Sequence, residues 1–386
     1  MVPQFAPSFE QIEKLAASRD ADILQFKPVD PSANRGRGAQ SNRSGKFEPV
    51  QRENFDDGWA QADPSSCFET IEHIERASSI ITTNNSPDLH FDRSINPYRG
   101  CAHGCSYCYA RPTHTFLGHS AGLDFERDIY IKPNAAELLR QELAHKRYRA
   151  KVIAIGTNTD PYQPVERKHK IMRGLLQVLL ETKHPVAITT KSALIVRDID
   201  ILGEMAKENL VCVAMSVTSL DRKLSRWMEP RASTPTKRLE AINKLTDAGV
   251  PTHVLVAPLI PAINDMELER IVEAGAAQGA SGAQTILLRL PAEVKGIFGE
   301  WLLRYYPNKV SHVLNLVRDV RGGQKNGRTN DPRFHSRFVG QGPYAVMLQQ
   351  RFERIVEKLD LNRKPPVLRS DLFIPPVRDD RQLSLF

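Results

Sequence analysis

The stretch Asn96-Pro-Tyr-Arg-Gly-Cys101-Ala-His-Gly-Cys105-Ser-Tyr-Cys108-Tyr-Ala-Arg-Pro-Thr-His114 places three of the chain's five cysteines within eight residues. Thiolates at this spacing suit three irons of a 4Fe–4S cube and leave the fourth iron open to a non-protein ligand. A cluster that only carries electrons takes four protein ligands, so the missing fourth cysteine is informative. Cys67 and Cys212 lie far off in sequence and form no second pair. Zinc held by thiolates wants four ligands, usually in two short pairs, and either His103 or His114 would have to complete it here. Zinc therefore stays as the alternative. Cys212 falls inside an apolar run and reads as a small buried hydrophobe, whereas Cys67 has no motif around it.

Downstream of this stretch a regular alternation begins. VIAIG (152–156), VAITT (186–190), VCVAMSV (211–217), HVLVAP (253–258) and TILLRL (285–290) are short, nearly continuous apolar runs. Such runs suit strands covered on both faces of a parallel sheet. Between them, residues 135–146, 169–183, 196–209, 234–249 and 265–278 space their apolar side chains by three and four, the helical period. Strand–helix repetition of this kind closes into a barrel or opens into a doubly wound sheet. No glycine-rich phosphate fingerprint follows the first strand, which argues against the nucleotide-binding doubly wound fold. Five units and a further strand expected just before Cys101 make six.

The CxxxCxxC spacing, with an aromatic (Tyr107) directly before the last cysteine, resembles the signature of radical S-adenosylmethionine (SAM) enzymes. The flanking NPYRGCAHGCSYCYARPTH is similar to the branch that contains spore photoproduct lyase. The resemblance covers about residues 88 to 290. It implies an α/β fold, a partial (β/α)6 TIM-like barrel open on one side. It also implies a 4Fe–4S cluster on Cys101, Cys105 and Cys108, with SAM on the open iron. Radical cleavage of SAM and an electron donor such as flavodoxin or ferredoxin follow from the same resemblance. By position, Thr157, Lys191 and Ser216 match lyase residues that contact SAM. Tyr107 matches the aromatic that touches adenine. Tyr109 matches a tyrosine kept directly after the third cluster cysteine and is the candidate catalytic side chain. One departure concerns chemistry: where the lyase carries a hydrogen-donating cysteine, this chain has Gly156.

In parallel barrels the loops after the strands converge on the active site. A zwitterionic amino-acid end needs acceptors near its ammonium and a cation near its carboxylate. Placement alone adds Asn158 and Asp160 as acceptors and Arg231 as a second cation. Each has a plainer reading: Thr157, Asn158 and Asp160 are common turn formers, and a lysine just past a strand is often a solvated cap.

The chain divides into an extension at 1–60, a connecting segment at 61–90, a core at 91–290 and a helical appendage with a loose tail at 291–386. Helical spacing in the appendage recurs at 292–306 and 349–359, and a short helix is expected at 8–18. Lys and Arg number 53 against 45 Asp and Glu, a net charge of +8. That balance is compatible with a nucleic-acid partner, though many enzymes of small substrates share it. Residues 35–52 carry Arg35, Arg37, Arg43, Lys46 and Arg52 against one acid, Glu48, among small polar residues. Such composition reads as a solvated arm, or as a flexible arm on phosphates. No run approaches the length of a membrane span, and MVPQFAPSFEQIEKL lacks a signal-like apolar stretch, so the expected location is the cytoplasm. The rival classes are a non-catalytic iron–sulfur redox sensor and a nucleic-acid-binding module. Residues 321–328, Arg-Gly-Gly-Gln-Lys-Asn-Gly-Arg, are a basic glycine-rich loop without an assigned role.

Overall fold

The computed structural model describes residues 8–12, 36–48, 69–322 and 329–377. Its ten strands are β1 (Ile71–Ile74), β2 (Ile81–Thr83), β3 (Arg93–Ile95), β4 (Tyr98–Arg99), β5 (Asp128–Ile131), β6 (Ile153–Ile155), β7 (Val186–Thr190), β8 (Val211–Ser216), β9 (Thr252–Leu259) and β10 (Gly282–Leu287). The main sheet runs β10-β9-β8-β7-β6-β3-β2. Six of its strands, β3 and β6 to β10, are parallel, and β2 adds antiparallel to β3. The sixth strand expected before Cys101 is β3. β6 is buried at every position, and β9 is buried over its first five residues, as strands covered on both faces require. Helices flank the sheet and each buries one stripe. Ile171–Glu181 turns Ile171, Met172, Leu175, Leu176, Val178 and Leu179 inward, and Ile199–Lys207 turns in Ile201, Leu202 and Met205.

The sheet does not close: β10 and β2 are its two free edges. Residues 329–340 form a strap between them. On the β10 side, Leu287 N donates to Phe338 O (3.0 Å) and Leu290 N to Thr329 O (3.3 Å). On the β2 side, His335 N donates to Asp88 Oδ1 (2.7 Å), and Arg337 pairs with Asp88 at 2.7 Å and bonds Ser86.

The structure departs from the sequence expectations at several places. The last strand begins at Gly282, three residues early, and ends at Leu287 after a register shift. Two causes are visible. A Cβ on Gly282 would lie 2.5 Å from Asn362 Oδ1, so only glycine lets that strand start pack there. Beyond the bulge, buried Arg321 takes the carbonyls of Leu287 and Leu288 at 2.6 Å, ending the ladder. A second sheet, β1-β5-β4, was not foreseen because its strands are two to four residues long. In the appendage, Val294–Tyr305 and Gly342–Lys358 correspond to the expected helices, and Val310–Asp319 is additional. The helix expected from 349 starts seven residues earlier, where Pro343 supplies a helix-opening residue.

Within the extension, Gly36–Glu48 is not a solvated arm: Arg37, Ala39 and Gln40 are buried against the loop of cysteines. At Ser8–Ile12, Ser8 and Gln11 cap each other reciprocally (2.6 and 3.1 Å), and Ile12 packs under Gly299. The rest of the helix expected at 8–18 lies outside the described residues. So do Arg35, Arg52, Cys67, residues 323–328 and the tail from 378. Among the described residues no helix is long and apolar enough to cross a membrane.

Candidate active site at the carboxyl ends of the strands

The three cysteines sit on one loop between β4 and the 3-10 helix Arg111–Leu117. Successive turns shape it, with Gly104 N on Cys101 O, Cys108 N on Cys105 O and Arg111 N on Cys108 O, each at 3.3 Å. Gly104 adopts φ +69°, and a Cβ there would meet Glu126 Oε2 at 2.6 Å, so glycine is required. Surrounding elements fix the loop's backbone. Gln163 accepts from Ala102 N (2.8 Å) and donates to Gly100 O (3.2 Å), while Ser106 N reaches Met228 O (3.0 Å). The buried Arg111 guanidinium holds Cys105 O, Ala121 O and Gly122 O and pairs with Glu126.

Glu126 also accepts from Gly38 N (2.9 Å) and Ala39 N (2.8 Å), and Arg37 donates to Glu126 O (2.6 Å). Gly38 passes so near that a Cβ would lie 1.6 Å from Gly104 O. The basic composition of this segment hid its role: Arg37, Gly38 and Ala39 clasp the loop of cysteines from outside through Glu126.

Burial pushes all three thiols up. For Cys101, to about 12, Asp160 and Cys108 add to the effect; for Cys105, Glu229 adds and Lys191 opposes; for Cys108, Arg111 and Lys191 oppose. The thiols therefore feel one another's charge, Lys191 acts on Cys105 and Cys108, and Arg111 acts on Cys108. Thiols in such surroundings are neutral at pH 7 unless a bound cation inverts the balance, as a coordinated metal does. Among the described residues no three Cys, His, Asp or Glu side chains are grouped as a metal-ligand set. Three sulfurs on one loop, with Lys191 and Arg111 beside them, fit a group that brings positive charge and takes three protein ligands.

The strand-end residues meet this loop. Asn96, just past β3, accepts from Asn158 N (3.0 Å) and Thr159 N (3.3 Å) and donates to Thr157 Oγ1 (3.2 Å). Asn158 reaches Thr113 Oγ1 at 3.4 Å, and the Tyr109 hydroxyl donates to Thr157 O. Lys191 Nζ lies 2.7 Å from Ser216 Oγ and 3.3 Å from Ala257 O, and 5.9 Å over the Tyr107 ring. Thr157, Asn158, Lys191, Ser216, Tyr107 and Tyr109 are thus brought together.

Two candidates placed by position do otherwise. Asp160 is not an open acceptor. Its carboxylate already takes Thr190 Oγ1 (2.7 Å), Lys191 N (2.7 Å) and Tyr162 N (2.9 Å), with His103 at 3.3 Å. Burial alone would raise this carboxyl, but His103 and those donors hold it at about 2. It positions Lys191. Arg231 touches the cysteine loop through its backbone, its N donating to His103 O (3.3 Å), but its exposed side chain reaches Thr70 rather than the convergence.

The residue that loop contributes is Glu229, two positions earlier. It is buried and accepts from Tyr107 OH, Thr218 Oγ1 (2.8 Å) and Arg238, with Lys191 at 3.9 Å. Burial opposes its charge, yet Arg238 and Lys191 keep the carboxyl below its usual range. Arg238, 1% exposed, also donates to Ser216 O (2.9 Å) and Ser233 O (2.7 Å). Sequence reasoning missed Arg238 because it lies in the first turns of a helix; a cation in an otherwise inward-facing helical stripe was the available signal.

Gly156 ends β6 with φ +90°, and a Cβ there would lie 2.1 Å from Thr189 O. No side chain, and hence no thiol, fits at that position without moving the backbone. Tyr109 stands beside it, 54% exposed, near Arg289 at the end of β10.

An open barrel of six parallel strands, with a three-cysteine loop at its carboxyl ends, defines a radical SAM protein. Residues 95–275 match the family model of the Radical SAM superfamily, and the chain belongs to that superfamily. It is 35% identical over 303 residues to an uncharacterised protein of Mycobacterium tuberculosis (strain ATCC 25618 / H37Rv), covering 78% of this chain and 85% of the relative. An uncharacterised protein of Methanocaldococcus jannaschii is 26% identical over 173 residues, 45% of this chain and 62% of that one. Among solved structures, a spore photoproduct lyase variant superposes with TM-score 0.55 at 17% identity, covering 80% of this chain and 85% of the lyase. A lyase variant with bound AdoMet and dinucleoside spore photoproduct gives 0.54 at 16% identity, with the same coverage. At such identity the likeness is one of fold, and the partial barrel with a helical C-terminal region is that fold.

Proposed function

We propose that Cys101, Cys105 and Cys108 hold one 4Fe–4S cluster and that SAM binds between its open iron and the Lys191 side of the barrel. Bound there, the pair supplies reductive cleavage of SAM to a 5′-deoxyadenosyl radical that takes hydrogen from the substrate. The observation that carries this reading is the meeting of the cysteine loop with Lys191, Ser216 and Tyr107 at the carboxyl ends of β6 to β8. Lys191 offers the cation for the carboxylate of SAM, and Thr157 and Asn158 line the ammonium side. The Tyr107 ring, its hydroxyl fixed by Glu229, faces the adenine. Asp160, Glu229 and Arg238 position these groups. The Arg231 side chain has no part in the site.

The substrate we infer is nucleic acid or a group attached to it, in keeping with the net charge of +8 and with the dinucleoside bound by the lyase structures. The reaction differs from thiol-quenched lesion repair, because Gly156 leaves no room for a donor side chain. Tyr109 is the redox-capable side chain beside that position. A flavodoxin or ferredoxin supplies the electron, and the cytoplasm is the setting we propose.

The test is anaerobic reconstitution with iron and sulfide, reduction, and assay for 5′-deoxyadenosine. Formation by the native chain and loss in Cys105→Ala supports the reading. Zinc without sulfide in protein purified anaerobically, or a cluster that never cleaves SAM with any added strand, overturns it.

A further inference from the structure

The strap between the sheet edges carries a stack of side chains that the site above does not use. Along Arg333-Phe334-His335-Ser336-Arg337-Phe338, basic and aromatic residues interleave. The Arg337 guanidinium lies 5.0 Å from the Phe334 ring centroid and 4.7 Å from that of Phe338, so it sits between the two rings. Arg289 also lies by Phe338, 5.5 Å from its ring centroid. The result is a four-membered ladder, Phe334–Arg337–Phe338–Arg289, running from the surface to the end of β10.

The two ends of the ladder differ. Phe334 is 52% exposed, an apolar ring presented to water beside the His335 side chain, itself 82% exposed. Arg289, at the inner end, has no carboxylate partner among the described residues; its Nε reaches only Asn330 Oδ1 at 3.4 Å. It follows the carboxyl end of β10 by two residues, which puts it at the barrel mouth. The middle is rigid: Asp88 holds Arg337 (2.7 Å), Asp331 holds Arg333 (2.9 Å) and Ser336 (2.7 Å), and Arg321 anchors Arg337 O (2.7 Å). A structural strap would need those anchors. It would not need an outward phenylalanine on a guanidinium, or an unpaired arginine at the mouth.

We propose that this ladder is the docking surface for an unpaired nucleic-acid strand, with a base stacked on the outer face of Phe334 and a phosphate at Arg289. The chemistry matches on both counts. Bases stack on aromatic and guanidinium planes without sequence preference, and phosphates pair with arginine. Because the ladder is already assembled, little side-chain freedom is lost on binding. A strand laid along it enters the barrel from its open edge, which presents a nucleotide, unstacked from its neighbours, toward Tyr109. The inference rests on the reading that the substrate is linked to nucleic acid, and it adds the surface and the single-stranded preference.

The test uses the full chain and fluorescence anisotropy with labelled single-stranded DNA and RNA of about 12 nucleotides, the matching duplex, and a neutral peptide as the rival occupant. The native protein should bind both single strands more tightly than the duplex, and more weakly as salt rises from about 50 to 200 mM. Phe334→Ala should weaken strand binding about ten-fold or more, Phe334→Trp should retain it, and Arg289→Gln should lower the salt slope by about one contact. Arg147→Gln, in the exposed basic loop that leads into β6 at the amino end of the barrel, should change little. Since Phe334 is half exposed, an unchanged melting temperature separates lost binding from lost folding. Binding that prefers the duplex or the peptide, or that survives Phe334→Ala unchanged, overturns the proposal, as does absence of binding at low salt. Radical chemistry is read separately, from 5′-deoxyadenosine formed by the native chain without added strand and lost in Cys105→Ala. Native strand binding lost in Phe334→Ala supports the ladder whether or not SAM is cleaved.

Discussion

The loop of cysteines and the mouth of the barrel lie side by side and are built on opposite plans. Around the loop the backbone is tightly held: Glu126 alone joins Arg111, Gly38 and Ala39, and Gly104 admits no side chain, although the buried Ser106 Oγ has no hydrogen-bond partner among the described residues. At the mouth the groups are offered outward: Tyr109 and Phe334 are half exposed, and Arg289 has no carboxylate partner among the described residues. A centre that must keep its shape while it is loaded and reduced needs packing that over-determines the backbone. A surface that admits and releases a large substrate needs exposed, incompletely paired groups. The lesson is that rigidity and openness meet within a few residues, Tyr109 standing exposed directly after the third cysteine of the held loop.

Four changes put numbers on this contrast, taken from the strongest downward. Cys105→Ala should abolish cluster assembly and all 5′-deoxyadenosine formation, read by iron and sulfide content and by product chromatography. Glu126→Ala leaves the buried Arg111 guanidinium unpaired, and loss of one partner of a buried pair costs about 3–5 kcal/mol. Urea unfolding of the apo protein should register that loss, while a variant as stable as the native chain would mean the clasp holds nothing. Lys191→Met removes the cation beside Ser216 and should raise the apparent Kd for SAM about ten-fold or more with little change in melting temperature. An equal loss of stability and affinity would instead make Lys191 a structural residue.

The smallest effect concerns acid. Burial lowers the His184 imidazole to about 4, so it is neutral in the fold, held by Tyr148 OH (2.8 Å) and the Pro185 carbonyl (3.0 Å). Between pH 6.5 and 4 the unfolded chain takes a proton that the folded chain refuses, so stability falls as pH drops through that window. His184→Gln should flatten the fall by about 1–3 kcal/mol in equilibrium unfolding at pH 7 and pH 4.5. An identical acid slope in both proteins would remove His184 from the account.

Much of the barrel was legible. Apolar runs bounded by turns gave four strands nearly to the residue and a fifth displaced by three, since strands buried on both faces tolerate little else. The cysteine spacing gave the loop, because metal chemistry constrains residues close in sequence. What escaped was of another kind. Arg238, in the first turns of its helix, meets Glu229 nine residues earlier, Asn96 meets Thr157 over a separation of 61, and Glu126 meets Gly38 over a separation of 88. Such pairs leave no periodic trace. The clasp misled for a physical reason: a short run of Arg, Gly, Ser and Asn cannot form a core alone, but it can lie on one provided by others. Asp160 and Arg231 misled because placement after a strand tells which loop a residue occupies, not which way its side chain turns.

The central claim is that the Cys101–Cys108 loop holds a cluster with one iron left for SAM. Electron paramagnetic resonance of the anaerobically reduced protein, recorded with and without SAM, addresses it directly. The account predicts the signal of a reduced 4Fe–4S cluster whose g-values shift when SAM is added, and no such signal in Cys105→Ala. A cluster signal that SAM leaves unchanged, or one that persists without Cys105, would contradict it.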